Sequence, residues 1–213
     1  MRETNLFYPK GEHPIHGTWL SVDVVAFTEG SAHLTLIERQ GTPHKGATTL
    51  PGGLLAAWDG ETVEGAARRI IREKVGVDAD GGVVVLDVVS DPLRDERGHT
   101  VSIVVGMRVP ADTPGAVPVT EVPNNMPFGH TKMVRKALVT LGQRLLVDPV
   151  TTYAMLGDTT TVNDVCAMLR VCEQISDSAT RARLDRCGLY VRGAARKDEG
   201  DVGRPPAIYT RTQ

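Results

Sequence analysis

The segment from Gly52 to Val77 places the strongest constraint on the fold, and it reads GGLLAAWDGETVEGAARRIIREKVGV. After a glycine-rich start, its apolar side chains recur every three or four residues, which is the period of a helix with one buried face. The spacing predicts an amphipathic helix from Thr62 to Lys74 that ends at Gly76, because glycine readily adopts the backbone conformation of a helix C-terminus. The predicted buried face consists of Val63, Ala66, Ala67, Ile70, Ile71 and Val75.

Alternating apolar runs lie on both sides of this helix. Two precede it and two follow it, and each is typical of a strand. Strands on both sides of one packed helix predict an α+β sandwich. The predicted strands are Val22 to Phe27, His33 to Ile37, Val83 to Val89 and Val101 to Val109.

The same segment resembles the Nudix box, whose family pattern is G-x5-E-x7-R-E-U-x-E-E-x-G-U, where U is a bulky apolar residue. Ile70 and Lys74 stand where the family has glutamates, and Glu61 lies eight positions after Gly53 where the family has six. Upstream, ERQGTPHKGATTLPGG resembles the family's R-G-x-x-P-x-x-G-x-W-x-L-P-G-G. An ordinary amphipathic helix after a glycine turn is the alternative interpretation. The positions that follow the box pattern are Glu61, Arg69, Ile71, Glu73, Gly76 and Val77.

The replacement of two family glutamates by Ile70 and Lys74 bears on catalysis. Nudix enzymes, as the resemblance implies, cleave a nucleoside diphosphate linked to another group and hold divalent cations on the carboxylates of the box. Mg²⁺ requires hard oxygen ligands, but Ile70 supplies none and Lys74 brings a positive charge to the place of the cation. Of the carboxylate cluster, Glu73 remains. We therefore expect no metal site, no catalytic residue and no cofactor, and a protein that is not an enzyme.

Composition restricts the remaining classes of protein. A chain of 213 residues accommodates one large or two modest domains, and no apolar run approaches the length that spans a membrane. The first residues lack the features of a signal peptide, and the three cysteines have no zinc-like spacing. These features predict reduced thiols, no membrane partner and a cytoplasmic location.

Charge divides the chain into two parts. Residues 1–123 carry 11 Lys and Arg against 17 Asp and Glu, net −6, whereas residues 124–213 carry 13 against 9, net +4. A basic part joined to an acidic one indicates a polyanionic partner for the basic part, and an ordinary solvated surface is the alternative. The stretch PADTPGAVPVTEVPNN between the two parts is rich in proline and small residues, which predicts a linker.

The basic part has the pattern of several helices in sequence. A helix is predicted from His130 to Leu146, and a shorter one through Tyr153 to Leu156. In the next segment, TVNDVCAMLRVCEQ, Thr161 and Asp164 form a start similar to a capping box. A turn at residues 175–177 then leads to SATRARLDRCG, which predicts a helix that buries Thr180, Leu184 and Cys187.

Two short helices joined by a tight turn, the second bearing arginines, are typical of a helix-turn-helix. Strands at Leu189 to Arg192 and Ala207 to Tyr209 would form a hairpin beside it, as in a winged helix. Such a unit reads base edges with its second helix and holds phosphates with basic side chains. The alternative is a helical cap on the sandwich followed by a disordered tail. The predicted DNA-binding residues are Ser178, Arg181, Arg183, Arg186, Arg192, Arg196, Lys197 and Arg204.

Three further segments resemble the NrtR family, the Nudix-related transcriptional regulators of NAD metabolism. They are PFGHTKMVRKAL, where Gly129 replaces the aspartate of the family's F-D-H, then TVNDVCAMLRVCEQ with the following helix, and GRPPAIY. The resemblance implies a Nudix-like α/β/α sandwich at residues 1–123, a linker helix at 124–148 and a winged helix-turn-helix domain at 149–213. The second helix of that domain departs most from the family, which often has asparagine and phenylalanine at the positions of Ala179 and Thr180.

The NrtR resemblance also implies a function. Members repress genes of NAD synthesis or salvage, bind palindromic double-stranded operator DNA as homodimers, and respond to an ADP-ribose-type ligand in the Nudix domain. Arginines would grip its pyrophosphate, although a structural salt bridge with a box glutamate is the alternative for Arg69. A working hydrolase of ADP-ribose or a related compound, and a protein that does both, are the competing functions. The expected ligand-binding residues are Arg39, Gly53, Glu61, Arg69, Glu73 and Arg97.

Overall fold

The computed structural model describes residues 18–195 and 207–212. Its first strands are β1 (Trp19–Thr28), β2 (His33–Thr35), β3 (Ile37–Glu38), β4 (Thr48–Thr49), β5 (Gly52–Leu54), β6 (Val83–Ser90), β7 (Thr100–Val109) and β8 (Ala116–Pro118). Six of these strands form one sheet with the order β6-β7-β1-β2-β8, and β5 also pairs with β1. β1 is central: it is parallel to β7 along its whole length and antiparallel to β2 and β5.

Helix α1 (Val63–Val75) covers one face of this sheet, which confirms the predicted helix. The Thr62 side chain caps the first turn by accepting a hydrogen bond of 3.0 Å from the N–H of Gly65. Gly76, with φ of 84°, ends the helix in the left-handed conformation that glycine favours. Ile70 is completely buried, as expected. The helix shares its apolar cluster with Val22, Val24, Ala26, Val105, Met107 and Val109 of the sheet.

Helix α2 (His130–Arg144) packs on the opposite face, against β6 and β7. Its range agrees with the predicted helix within two residues. Its role differs from the prediction, because α2 does not simply connect two domains but forms the third layer of an α/β/α sandwich. Its buried apolar side chains are Met133, Val134, Ala137 and Leu141.

The segment predicted to be a linker, residues 110–125, contributes to the sheet. β8 lies within it and pairs antiparallel with β2, with Leu34 opposite Val117. Gly115, with φ of 75°, lies immediately before this strand and accepts a hydrogen bond of 3.0 Å from the N–H of Leu36. The linker prediction is wrong because a proline and small-residue composition does not prevent a three-residue edge strand.

The remaining chain forms a compact unit on the α2 side of the sheet. The capping box predicted at Thr161 and Asp164 is confirmed, with both reciprocal hydrogen bonds present. Both predicted strands are present too, and β9 is an additional one that the sequence did not indicate. The elements are α3 (Pro149–Leu156), β9 (Thr159–Thr161), α4 (Val162–Arg170), α5 (Asp177–Arg186), β10 (Tyr190–Ala195) and β11 (Ala207–Arg211), with the three strands in the order β10-β11-β9.

The two parts share one apolar core. A single cluster of buried side chains extends from Phe27 in β1, through Leu141 and Met155 in α2 and α3, to Leu169 in α4 and Tyr209 in β11. α3 packs so closely on the start of β6 that a Cβ at Gly82 would lie 2.6 Å from the Cα of Ala154. Within the described residues, no helix has the length and apolar character needed to cross a bilayer.

Candidate functional site

A cavity of about 470 Å³ opens beside the second half of α1. The loop after β3, strand β5, the loop before β7 and the turn before α2 form its other walls. Four of the predicted ligand-binding residues, Arg39, Gly53, Glu73 and Arg97, line it. Two more basic side chains, Lys74 and Arg94, and the acidic side chains of Asp23, Glu38 and Asp95 complete the charged part of the wall.

The other two predicted ligand-binding residues, Glu61 and Arg69, are bound to each other. Nε and Nη2 of Arg69 donate to the two carboxylate oxygens of Glu61 at 2.6 and 2.9 Å. Arg69 also reaches the Leu54 carbonyl at 3.0 Å, and the N–H of Ala56 donates to Glu61 at 2.8 Å. The hydrogen bond from Arg69 holds the pKa of Glu61 below its usual value. The pair therefore fastens α1 to the loop after β5, which is the structural alternative considered for Arg69.

The residues at the metal-binding positions of the box do not fit a divalent cation. Ile70 is completely buried in the sandwich, and the Lys74 ammonium donates a hydrogen bond to the Gly52 carbonyl. Arg69 forms an ion pair with the Glu61 carboxylate and lies 3.3 Å from the Glu73 carboxylate. In the part of the chain that the structure describes, no three or more His, Cys, Asp or Glu side chains are grouped as metal ligands.

Asp23 is a site residue that the sequence analysis missed. It is 5% exposed, and its carboxylate lies 3.5 Å from Nε2 of His130 and 3.3 Å from the Ser21 hydroxyl. Burial opposes its ionisation, but His130, the hydrogen bond from Ser102 and the charge of Arg94 together outweigh burial and lower the pKa of Asp23. Nδ1 of His130 accepts the N–H of Leu50 at 3.0 Å. The signal was available, because a charged residue stands inside the apolar run LSVDVVAF.

Gly52 is required beside this carboxylate. A Cβ at that position would lie 2.1 Å from Oδ1 of Asp23, so a larger residue would displace the buried acid. The glycine pair at the start of the box thus allows the backbone of β5 to approach β1 and forms the floor of the cavity.

Arg94 is the second residue that the sequence analysis missed. Its Nη1 donates to the Phe128 carbonyl at 3.1 Å, and its Nη2 donates to the Thr100 carbonyl at 3.1 Å and the Ser102 hydroxyl at 2.7 Å. Its Nε is buried without a partner among the described residues. The sequence did not single out this arginine, because its contact with the turn before α2 is made to Phe128, 34 residues further along the chain.

Phe128 lies beside the two arginines that were predicted to bind phosphate. Its ring centroid is 4.8 Å from the guanidinium carbon of Arg39 and 5.3 Å from that of Arg97. The His44 ring meets it edge-on at 5.1 Å. Asp95 holds Arg97 through hydrogen bonds of 2.9 and 2.7 Å. The aromatic side chain therefore belongs to the wall of the cavity together with the basic groups.

A second candidate surface lies on α5. Thr180 and Leu184 are buried as predicted, and Cys187 is half-buried. Arg183 forms an ion pair with Glu173, and Nε of Arg186 donates to the Ala182 carbonyl at 2.9 Å. Exposed side chains on this helix include three of the predicted DNA-binding residues, Ser178, Arg181 and Arg186.

The predicted DNA-binding arginines differ in how they are held. Within residues 18–195 and 207–212, Arg181 has no hydrogen-bond or ion-pair partner, unlike Arg183. Arg192 is exposed on β10, opposite Tyr209. The predicted contacts at Arg196, Lys197 and Arg204 lie outside the described residues.

Comparison with known proteins identifies related sequences and folds. Residues 17–136 match the family model of the NUDIX domain. An ADP-ribose pyrophosphatase of Methanocaldococcus jannaschii is 42% identical over 84 residues, which are 39% of this chain and 48% of that protein. The matched segment thus spans about half the length of the relative.

The fold extends beyond that domain. The crystal structure of Shewanella oneidensis NrtR superposes with a TM-score of 0.67 and 24% identity, over 92% of this chain and 94% of that one. The same protein complexed with a 27mer DNA gives 0.65 and 23%, over 91% and 93%. A MutT/nudix family protein from Enterococcus faecalis gives 0.65 and 17%, over 95% and 90%. At these identities the likeness shows a shared fold.

Proposed function

This chain belongs to the NUDIX family, and we propose that it is a transcriptional repressor of NAD synthesis or salvage genes. It binds palindromic operator DNA as a homodimer, and an ADP-ribose-type ligand in the NUDIX cavity controls this binding. Residues 1–123 sense the ligand. Residues 124–148 complete the sandwich and connect it to the C-terminal part, and residues 149–213 bind DNA.

The observation that carries the proposal is the chemistry of the cavity. Its wall holds Arg39, Lys74, Arg94 and Arg97, while the positions that hold cations in NUDIX enzymes have an isoleucine and a lysine. Basic side chains bind phosphate oxygens directly, and arginine does so through paired N–H groups. Such a cavity favours retention of a diphosphate over its cleavage, which suits a sensor.

The ligand class is supported by the relative from Methanocaldococcus jannaschii, which is named an ADP-ribose pyrophosphatase. In the proposal, Arg39 and Arg97 contact the pyrophosphate, while Gly53 and Glu73 border the ligand. Glu61 and Arg69 act from outside the cavity by holding α1 and the loop after β5 together.

The DNA-binding part of the proposal rests on α4, α5 and the hairpin of β10 and β11, which we interpret as a winged helix-turn-helix. Arg181 on α5 would read base edges in the major groove, helped by Ser178 and Arg186. Arg192, Arg196, Lys197 and Arg204 would hold phosphates. A protein crystallised with a 27mer DNA shares the fold over most of this chain, which is consistent with this interpretation.

A ligand controls DNA binding only if it favours one of two arrangements of the dimer. The shared apolar core gives such a route, because α2 touches the ligand cavity at its first residue, His130, and the C-terminal unit through Leu141. A rearrangement of the cavity would therefore be transmitted through packed side chains.

The test is a gel shift on the DNA upstream of NAD synthesis and salvage genes, with and without ADP-ribose, at several salt concentrations. We expect one palindrome to be shifted, and we expect affinity to fall steeply with salt because counterions are released from DNA. ADP-ribose should change the affinity by about tenfold or more. Absence of any shift at low salt would remove the DNA-binding proposal.

A working hydrolase is the second candidate, since Glu61 and Glu73 remain and the archaeal relative is named as a pyrophosphatase. We expect negligible release of AMP and ribose 5-phosphate from ADP-ribose in the presence of Mg²⁺ or Mn²⁺. Turnover above about 1 s⁻¹, the lower end of ordinary enzyme rates, would establish the hydrolase instead.

A further inference from the structure

The turn at Phe128 has an unusual backbone. Phe128 has φ of 58° and Gly129 has φ of 70°, so two consecutive residues are left-handed before α2 begins. Glycine adopts this conformation without penalty, whereas a bulky side chain is strained there. Arg94 holds the turn in place through the Phe128 carbonyl. Strained residues are retained where the side chain must reach a particular place, and here the ring reaches the cavity wall.

The Phe128 ring lies within cation–π distance of two like charges. Arg39 comes from the loop after β3 and Arg97 from the loop before β7, and both guanidinium groups lie against the Phe128 ring. Partial burial, followed by the charge of Arg97, lowers the pKa of Arg39. The negative face of an aromatic ring attracts each cation, so Phe128 offsets part of the repulsion that would separate them.

Both arginines still have an N–H group to offer. Arg39 uses Nε and Nη2 on the carbonyls of Pro43 and Thr42, and Arg97 uses Nε and Nη2 on Asp95. Among the described residues, the Nη1 group of neither arginine has a hydrogen-bond partner. Phosphate oxygens are the acceptors that such charged donors bind most strongly.

We infer that Phe128 is a positioning residue that holds Arg39 and Arg97 together as a clamp for the pyrophosphate of the ligand. This inference rests on the ligand-sensing half of the proposed function and adds a residue through which the phosphate groups are recognised. Phe128 acts through the two arginines, and its ring also contacts that of His130, the first residue of α2, at 5.7 Å.

The test measures binding of ADP-ribose and of inorganic pyrophosphate by titration calorimetry in the full chain. Phe128→Leu removes the aromatic face and keeps the apolar character, so both affinities should fall about tenfold, equivalent to about 1.4 kcal/mol. Phe128→Met is a second ringless variant of similar bulk, in case the leucine variant does not fold. Phe128→Tyr keeps the ring face and should retain affinity within about threefold.

A double-mutant cycle separates positioning from a general loss of structure. In the Arg97→Gln background, the change from Phe128 to Leu should reduce pyrophosphate affinity by no more than about threefold, because one of the two cations is gone. An unchanged tenfold loss in that background, or no loss in either ringless variant, overturns the inference.

The same titrations distinguish the inference from the function on which it rests. If the wild-type protein binds neither probe, the ligand-sensing proposal and the clamp are both overturned. If it binds ADP-ribose and the ringless variants bind equally well, only the clamp is overturned. If the clamp behaves as expected and no DNA is bound, the clamp stands and the repressor proposal fails.

Discussion

Ile70, which the resemblance to the Nudix box aligns with a glutamate of the family pattern, has a side chain that is completely buried between α1 and the sheet. Restoring the acid there would place an ionised group, or a neutral one without partners, in an apolar cluster. We expect Ile70→Glu to lower the free energy of unfolding by about 3 kcal/mol or more, measured by urea denaturation. Ile70→Met conserves volume and should cost less than about 1.5 kcal/mol. Equal stability of the two variants would contradict the placement of this helix face.

Arg69 and Glu61 give a prediction that depends on pH. Replacing Arg69 with Met should cost about 1–2 kcal/mol at neutral pH, because Glu61 loses its charged donor. The folded protein lowers the pKa of Glu61, so the pair stabilises the fold above the unfolded-state pKa of about 4.3. This stabilisation is lost as the pH falls through the lower folded-state pKa.

The difference in urea midpoint between wild type and Arg69→Met should therefore shrink as the pH is lowered below the unfolded-state pKa of about 4.3. Arg72→Met is the matched control, because its partner Asp78 has a side chain that is 84% exposed and exposed pairs contribute little. A cost for the control as large as that for Arg69 would show that the effect comes from the general loss of charge on α1.

At the scale of elements, the arginines of α5 should differ in their effect on DNA. Arg181→Ala should weaken operator binding by about tenfold or more. The Arg181 guanidinium has no hydrogen-bond or ion-pair partner within the described residues, so it is available to DNA. Arg72→Ala removes the same charge from α1 in the other unit and should leave operator affinity unchanged. Fluorescence anisotropy on labelled operator measures both. The placement of α5 against DNA is wrong if the two variants bind alike.

The elements that the sequence predicted well are those with a strong local pattern. α1, α4 and α5 have caps and an apolar period within their own segments, and their ends fall within a few residues of the predictions. β4, β5, β8 and β9 were missed because each is only two or three residues long and exists through pairing with another strand. The third-layer role of α2 was missed since helical periodicity does not reveal which surface a helix will cover.

The residues of the candidate site also differ in whether the sequence identified them. Arg39, Gly53, Glu73 and Arg97 were identified from family motifs, and all four line the cavity. Asp23 and Arg94 were not, because the contact that ties each to the turn before α2 joins residues far apart in the sequence. Their roles follow from the sheet, which brings β1 beside β7 and both strands near the turn before α2.

At the scale of the whole molecule, the continuous apolar cluster predicts cooperative unfolding. Leu169 is completely buried in α4, in the C-terminal unit, yet it belongs to the same cluster as Phe27 in the sheet. Leu169→Ala should lower the free energy of unfolding by about 2–5 kcal/mol and shift one calorimetric transition of the entire chain. Amide hydrogen exchange in β7 should rise with it.

The control for this experiment is Leu93→Ala, since Leu93 is 92% exposed and should change the transition temperature little. Two separate transitions, with β7 unaffected by the loss of the Leu169 side chain, would mean that the two units unfold independently. The shared apolar core could then not transmit ligand binding from the cavity to the C-terminal unit, as the proposed function requires.

The close contact between Gly82 and Ala154 fixes how α3 lies against the start of β6. Because not even a methyl group fits there, alanine at position 82 would tilt α3, and everything that follows it, away from the strand. In the proposed homodimer the tilt would occur in both copies and would change the spacing between the two α5 helices. If the proposed homodimer forms, Gly82 would thus influence the half-site separation of the operator although it lies outside the residues that line the cavity.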